Sequence, residues 1–480
     1  MGDNLLFERK FGFEVWNKAR VEKAFEFAKD YRQFISECKT EREVVDFVIN
    51  QARKTGFKEL QSISPSKRPN AKSLGGTKVY GVNRGKSVIL GVFGKKPLRV
   101  GTKIILAHID SPRIDLKTNP LYESEKIAWL KTQYYGGIKK YQWPALHLAI
   151  HGVIALANGR RVEVKMGEKE GDPVLTITDL LPHLSQKQME KKMEEAVEGE
   201  KMNVVIGSMP ITKSKVKSQK SKVDEEKDKV KLGILELLNK KYGTTEEDLV
   251  SADLEIVPAG PARDLGFDSS LIGGYGQDDR VCAYTAIQSL MNIKVLETTS
   301  LIVLTDKEET GSESNTGALS SFIPDFISEM LFLEEGKHDE NLLRDSLAQT
   351  KAVSADVAVA FDPDYKDVFD SQNTARLGAG IVLEKHTGRK GKSFTSEATA
   401  EYLACIRQIF HQKDILWQVG GLGKVDLGGG GTIAMFLARY NMDVVDAGPP
   451  ILSMHSPFEI CSKIDIYACF EAYSAFLASS

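Results

Sequence analysis

Apolar positions recur along this chain with two different periods, and the switches between them divide it. Between residues 14 and 56 they return at three- and four-residue steps, at Val21, Ala24, Phe25 and Ala28 and again at Val44, Phe47 and Val48, which predicts helices. Thr40-Glu-Arg-Glu resembles a capping box and starts a second helix after Cys38. Lys78-Val-Tyr-Gly-Val, a turn at Asn83-Arg-Gly and Ser87-Val-Ile-Leu-Gly-Val-Phe then predict a β-hairpin, with Lys103 to His108 as the next strand.

After Asp110 the pattern changes. Short β-prone runs follow at Ala128-Trp-Leu-Lys-Thr, Leu146 to Leu156, Arg161-Val-Glu-Val-Lys and Val174-Leu-Thr-Ile. Lys187 to Glu198 is a charged helical stretch, and Thr212 to Val230, crowded with Lys, Ser, Asp and Glu, is expected as a solvated loop. Regular α/β alternation returns near Leu254-Glu-Ile-Val-Pro, with a helix over Val281–Met291, a strand over Ser300–Thr305 and a helix over Thr399–Phe410. The economical architecture is an α/β catalytic domain, 1–110 and 260–480, interrupted by a mainly β insertion at 111–259.

Composition narrows the class. At 480 residues the chain is long enough for two domains, and a net charge of −2 gives no reason to expect nucleic acid or an anionic membrane as a partner. No apolar stretch approaches the roughly 20 residues of a membrane helix, and the first residues lack the basic-then-apolar layout of a secretory signal. The five cysteines are odd in number, widely spread and without a Cys-x-x-Cys pair. They are expected as reduced thiols of a cytoplasmic protein.

Five metal-type side chains stand at the ends of short apolar runs, where open α/β sheets collect their chemistry. His108 closes Lys103-Ile-Ile-Leu-Ala-His, and Asp278 opens the acidic pair of Gly276-Gln-Asp-Asp-Arg. Glu309 follows Glu308 after the Ser300–Thr305 run, Asp356 opens Asp-Val-Ala-Val-Ala-Phe, and His455 ends Pro450-Ile-Leu-Ser-Met-His. Two imidazoles and three carboxylates suit a pair of divalent ions, zinc first, with cobalt or manganese also able to accept the set.

Each residue also has an ordinary structural reading. His108 is equally a surface histidine before a turn, and Asp278-Asp279 equally a helix N-cap with a local Asp–Arg pair. Asp278 is favoured as a bridge between cations and Asp279 as structural support. Glu308-Glu309 is the most telling pair: extended backbone would turn the two carboxylates apart, one to hold a metal and one to act as general base on water. Asp356 interrupts an apolar run, and a buried carboxylate needs a partner. Asp110, on the same side of an extended segment as His108, can take the second imidazole N–H if the chain bends. Asp362 and Asp364 belong to a turn.

Rival chemistries lack their motifs. There is no His-Glu-x-x-His helix and no Gly-x-Ser-x-Gly elbow. Gly81-Val-Asn-Arg-Gly85-Lys-Ser is one residue short of a P-loop and sits in a hairpin; Gly428-Gly-Gly-Gly-Thr432 is a tight turn or a backbone approach near substrate.

Taken in order, Ala107-His-Ile-Asp-Ser-Pro-Arg, Gly276-Gln-Asp-Asp-Arg, Asp306-Lys-Glu-Glu-Thr-Gly-Ser, Ser354-Ala-Asp-Val and Met454-His-Ser resemble the aspartyl aminopeptidase family of dinuclear zinc exopeptidases. The resemblance implies a mixed-sheet zinc-exopeptidase domain with helices on both faces and a β-rich insertion that makes dimer contacts. It also implies assembly of those dimers into a tetrahedral dodecamer. His108, Asp278 and Asp356 would bind one metal, and Asp278 would bridge to a second held by Glu309 and His455. Glu308 would be the general base, with Asp110 orienting His108. In this family an inserted-domain residue can enter a neighbour's site; the best match is Leu181-Pro-His183-Leu, where Lys187 replaces the later histidine of an expected Pro-His-Leu-Ala-Ile-His pattern, and His183 reads equally as a turn or interface residue. Lys385 looks like the lysine with which acid-selective members pair a substrate carboxylate, or else an ordinary surface lysine.

The function expected is thus a metal-dependent aminopeptidase acting on peptides with a free N-terminus, acidic or neutral and apolar. Another dinuclear-metal amide hydrolase, a deacylase or carboxypeptidase, is the alternative within enzymes. A catalytically silent self-assembling cargo protein is the alternative outside them.

Overall fold

The computed structural model describes residues 5–62, 74–211, 228–291, 293 and 296–479. The chain forms two compact units, one of Met1–Ser111, Ala262–Met454 and Phe458–Ser480, the other of Pro112–Pro261 and His455–Pro457. No helix among the described residues is long and apolar enough to cross a membrane.

The first unit is built on a mixed nine-stranded sheet. Its middle is the strand Lys103–His108, parallel to Ser300–Thr305 on one side and to Lys351–Ser354 on the other. Lys351–Ser354 is in turn parallel to Asp443–Gly448, beside which Ile381–Glu384 runs antiparallel. Every residue of Lys103–His108 and Ser300–Thr305 is buried, as continuous apolar runs covered on both faces must be. Alternation sends Ile105, Val353 and Val445 into one layer with the helices Lys18–Glu37, Glu41–Lys54, Gln277–Met291, Ala400–Gln412 and Lys463–Ala478. Ile104, Leu106, Ala352 and Val444 enter the other, beneath Phe322–Glu335 and Ala434–Ala438. The capping box closes as expected: Thr40 Oγ1 accepts the Glu43 N–H, and Glu43 Oε2 accepts the Thr40 N–H at 3.2 Å.

The second unit is a seven-stranded antiparallel sheet. Its longest strand, Arg113–Ser124, contains Pro120 and is not among the β-prone runs expected from the sequence. The register shifts between Leu116 and Leu121 against the partner strand Ile127–Tyr135, and this irregularity accommodates the proline. Two further expectations are corrected. Ala252–Pro258, taken as the return of α/β alternation, pairs with Leu148–Ala155 and Arg113–Ser124 and so belongs to this sheet. Lys187–Glu198 is no continuous helix: it holds two four-residue turns, Gln186–Met189 and Met193–Ala196, with no buried residue to anchor a longer one. Of the charged run Thr212–Val230, residues 212–227 lie outside the described residues, and Lys229–Tyr242 is a helix.

Candidate metal centre

His108 ends the central strand, and its two ring nitrogens have different surroundings. Nδ1 lies 3.1 Å from the Asp110 carbonyl oxygen and 3.4 Å from Asp110 Oδ1. A proton on Nδ1 donates there and leaves Nε2 with its lone pair. Nε2 faces only acids: Asp278 Oδ1 at 3.1 Å, and Glu308 Oε2 and Asp356 Oδ1 each at 3.9 Å. Ligand atoms of His108, Glu308 and Glu309 all lie within 4.8 Å of one another, as do those of His108, Asp279 and Asp356.

Backbone geometry brings these groups together. Glu308–Thr310 is a 3₁₀ turn, entered through Lys307 in the left-handed region at φ 71° and left through Gly311 at φ 92°. The two glutamates therefore converge, where extended backbone was expected to turn them apart. Asp110 helps hold this turn: its Oδ1 accepts the Glu308 N–H at 3.1 Å and its Oδ2 the Glu309 N–H at 3.2 Å. Asp306 closes the other side, accepting the Lys307 N–H at 2.8 Å and the Thr316 hydroxyl at 2.9 Å.

Asp278 and Asp279 have non-helical backbone at the start of Gln277–Met291. The Asp278 N–H donates to Glu459 Oε2 at 3.1 Å, and the Ser111 hydroxyl donates to the Asp278 carbonyl at 2.8 Å. The alternative reading of a local Asp–Arg pair is not the arrangement that forms. The wholly buried Arg280 guanidinium donates to the carbonyls of Gly276, Tyr275 and Cys38. Sequence reasoning missed Glu459, Ser111 and Asp306. The one signal for Glu459 was an acid inside the short strand Glu459–Ser462, whose residues are mostly buried.

The electrostatics show a deficit of positive charge. Burial, with Asp356 and Asp278 nearby, pushes Asp279 well above the usual carboxylate range despite the opposing His108. Burial likewise raises Asp356, again against His108, with Glu308 and Asp278 adding to it. Burial alone would lower His108, yet Asp110 and Asp278 hold it well above its ordinary value. Among the described residues neither Asp279 oxygen meets an N–H or O–H donor; the Cys282 thiol is the neighbouring group. Crowded acids around a single imidazole fit a divalent cation, which would lower all of these carboxyls together. Imidazole nitrogen and carboxylate oxygen are also the donors zinc takes.

The remaining candidates each have surroundings of their own. His455 belongs with the second unit, with Nδ1 3.1 Å from the Gly137 carbonyl oxygen. His183 is exposed in the turn Pro182–Leu184 of that unit. The His-Leu-Ala-Ile-His run sought near His183 is present instead at His147–His151, where His147 is exposed and the buried His151 meets Glu168 Oε1 at 2.9 Å. Lys385 follows the strand Ile381–Glu384 and lies 3.7 Å from Glu397. Asp362 serves a turn, its side chain accepting the Asp364 N–H at 3.0 Å. Gly429, at φ 126°, is packed against Arg389.

Comparison with known proteins places this geometry. Residues 34–477 match the family described as aminopeptidase I zinc metalloprotease (M18). A Clostridium acetobutylicum protein named "Probable M18 family aminopeptidase 1" is 48% identical over 477 residues, covering 99% of this chain and 100% of that one. The Thermotoga maritima protein of the same name is 43% identical over 98% of this chain and 99% of its own length. The crystal structure of an M18 aminopeptidase from Thermotoga maritima superposes with a TM-score of 0.92 at 42% identity, covering 99% of this chain and 100% of that one. Aminopeptidase I from Clostridium acetobutylicum gives 0.90 at 44% identity with the same coverage.

Proposed function

The chain belongs to the aminopeptidase I zinc metalloprotease (M18) family, and from that premise we propose that it removes single N-terminal residues from peptides through two divalent ions, zinc first. One observation carries this reading: a single imidazole nitrogen faces three acids, amid buried carboxyls that lack compensating charge. His108, Asp278 and Asp356 would hold one ion, and Glu309 and His455, with Asp278 shared, would hold the second. His455 directly follows Met454, the end of a segment of the first unit, so chain connectivity supports its inclusion.

When bound, the ions polarise the scissile carbonyl and lower the pKa of water toward about 7. Glu308 takes the proton from the attacking water and returns it to the leaving amine. Asp110 fixes the proton of His108 on Nδ1 and holds the Glu308–Glu309 backbone. Asp279 supplies negative charge behind His108 and Asp356. The β-rich unit makes the contacts between copies, in dimers that assemble into a tetrahedral dodecamer. The S. cerevisiae mApe1 dodecamer, 20% identical, shares this fold, and the same kind of assembly is the corresponding expectation here. The inserted-domain histidine that enters a neighbouring site is then better sought in His147–His151 than at His183.

The test is a panel of aminoacyl-anilides and short peptides on chelator-stripped protein with zinc, cobalt or manganese restored. Metal-dependent release of one N-terminal residue, with N-acetylated peptides inert, is the expected result. Turnover of N-acetylated substrates would transfer the site to a deacylase. Two bound ions with no turnover of any amide would sink the enzymatic reading.

A further inference from the structure

Asp278 stands at the start of Gln277–Met291 with a backbone that is not helical, at φ −77° and ψ 107°. The helix does not hold such a residue, and it is held from outside on both sides. Its N–H donates to Glu459 Oε2 at 3.1 Å, and its carbonyl accepts the Ser111 hydroxyl at 2.8 Å. These two groups belong to different peptide planes, one before the Asp278 Cα and one after it. Holding both planes fixes φ and ψ, and with them the direction of the Cα–Cβ bond. The carboxyl is left with its side-chain torsions alone, and its Oδ1 lies 3.1 Å from His108 Nε2.

Each hold is itself anchored. Glu459 is 1% exposed and opens Glu459–Ser462, which runs antiparallel to Leu271–Gly274 with Gly274 opposite Glu459. Gln277 grips the main chain of the same residue: Nε2 donates to the Glu459 carbonyl at 2.6 Å and to the Ile272 carbonyl at 3.1 Å. The fully buried Tyr31, on Lys18–Glu37, orients that amide by donating its hydroxyl to Gln277 Oε1 at 3.3 Å. On the other side, Ser111 comes three residues after His108, so the segment that carries the imidazole also holds the backbone of the acid facing it. Gly276 leaves room for this approach, since a Cβ there would stand 2.8 Å from Ser111 Oγ and overlap the Arg280 guanidinium. A carboxylate holds a peptide N–H more firmly than a neutral acceptor does, which gives the buried acid at 459 a purpose.

We propose that Glu459 is a positioning residue for Asp278, acting through the peptide N–H with Ser111 as the opposing hold, and that it thereby sets the carboxylate shared by the two ions. Neither Glu459 nor Ser111 belongs to the groups whose ligand atoms converge. Their effect reaches the ions only through the placement of Asp278. Because that carboxylate is shared, losing Glu459 weakens both ions together.

This inference rests on the two-ion reading, and none of its readouts requires turnover. Glu459→Ala, Glu459→Gln and Ser111→Ala are compared with the wild-type protein by competitive chelator titration of zinc and by the visible absorption of cobalt-loaded protein, which follows ligand geometry. Urea unfolding of the metal-free proteins measures any purely structural loss separately. Glu459→Ala should lower the affinity for both ions about 10–100-fold, the range for removing a partner that supports a metal ligand. Its cobalt spectrum at saturation should differ from that of the wild type. Glu459→Gln keeps an oxygen acceptor and should lose less. Ser111→Ala should shift the spectrum in its own right, and it decides the matter if Glu459→Ala fails to fold. Unchanged zinc affinity and an unchanged cobalt spectrum overturn the proposal, even where urea stability falls, because Glu459 then only packs its strand. Weakening of one ion alone overturns it as well. If the wild-type protein binds a single ion, the two-ion reading fails, while the positioning of Asp278 stands or falls on whether Glu459→Ala weakens that ion.

Discussion

Asp110→Asn separates two jobs that converge on one residue. The Asp110 backbone carbonyl lies 3.1 Å from His108 Nδ1 and is untouched by the substitution, so the ring keeps an acceptor. The carboxylate has a different task, receiving the Glu308 and Glu309 N–H groups on separate oxygens. An asparagine offers one carbonyl oxygen and turns an NH₂ toward the other N–H, so one charge-assisted bond is lost and two donors face each other. Such bonds contribute about 1.5–3 kcal/mol each, and the loss falls on the turn that carries both glutamates. Zinc affinity should drop roughly 10–100-fold, the range seen when a supporting partner of a metal ligand is removed. Competitive chelator titration measures this directly, and turnover at saturating zinc reports the residual displacement of Glu308. Wild-type affinity and turnover in Asp110→Asn would refute the reasoning: Asp110 would then act only through its carbonyl, and the turn would need no anchor.

Three further outcomes are expected. Glu308→Gln should retain two metal ions per chain by metal analysis while kcat falls on the order of 10²–10⁴-fold; near-normal turnover would remove Glu308 from proton transfer. Gly448→Ala should destabilise by about 1–3 kcal/mol in urea unfolding, because a Cβ there would overlap the Asp356 carbonyl oxygen and stand 3.0 Å from Cys282 Sγ; unchanged stability would mean that the strand end yields freely. Lys103 caps the last helix by donating to the Phe476 and Ser479 carbonyls, and burial, with Lys351 and Lys96, lowers its pKa to about 8. The folded state then holds this proton less tightly than the unfolded chain. Its contribution should rise with pH from about 8 toward the ordinary 10.5, and Lys103→Met should flatten that slope in unfolding measurements.

The sequence disclosed what is local. An acid or a histidine interrupting an apolar run marks itself, which is why His108, Asp278, Glu308, Glu309 and Asp356 stood out before any coordinates. The hairpin Lys78–Val92 and the Thr40 capping box were equally legible, since each is set by residues a few positions apart. What stayed hidden depends on distance along the chain. The convergence of Glu308 and Glu309 depends on a carboxylate 198 and 199 residues earlier, and Asp278 is positioned by Glu459, 181 residues later. No periodicity in the 306–312 segment could announce a left-handed Lys307 followed by a 3₁₀ turn. Glu384 shows the same limit in sharper form. In Val382-Leu-Glu-Lys the lysine drew attention because a cation suggests a substrate acid, and the glutamate beside it drew none. Only the antiparallel register that sets Glu384 against Asp446 shows the acid to be buried and the lysine to be turned away. A motif therefore identifies candidate donors, whereas the register between distant strands determines which of two adjacent charged residues is buried.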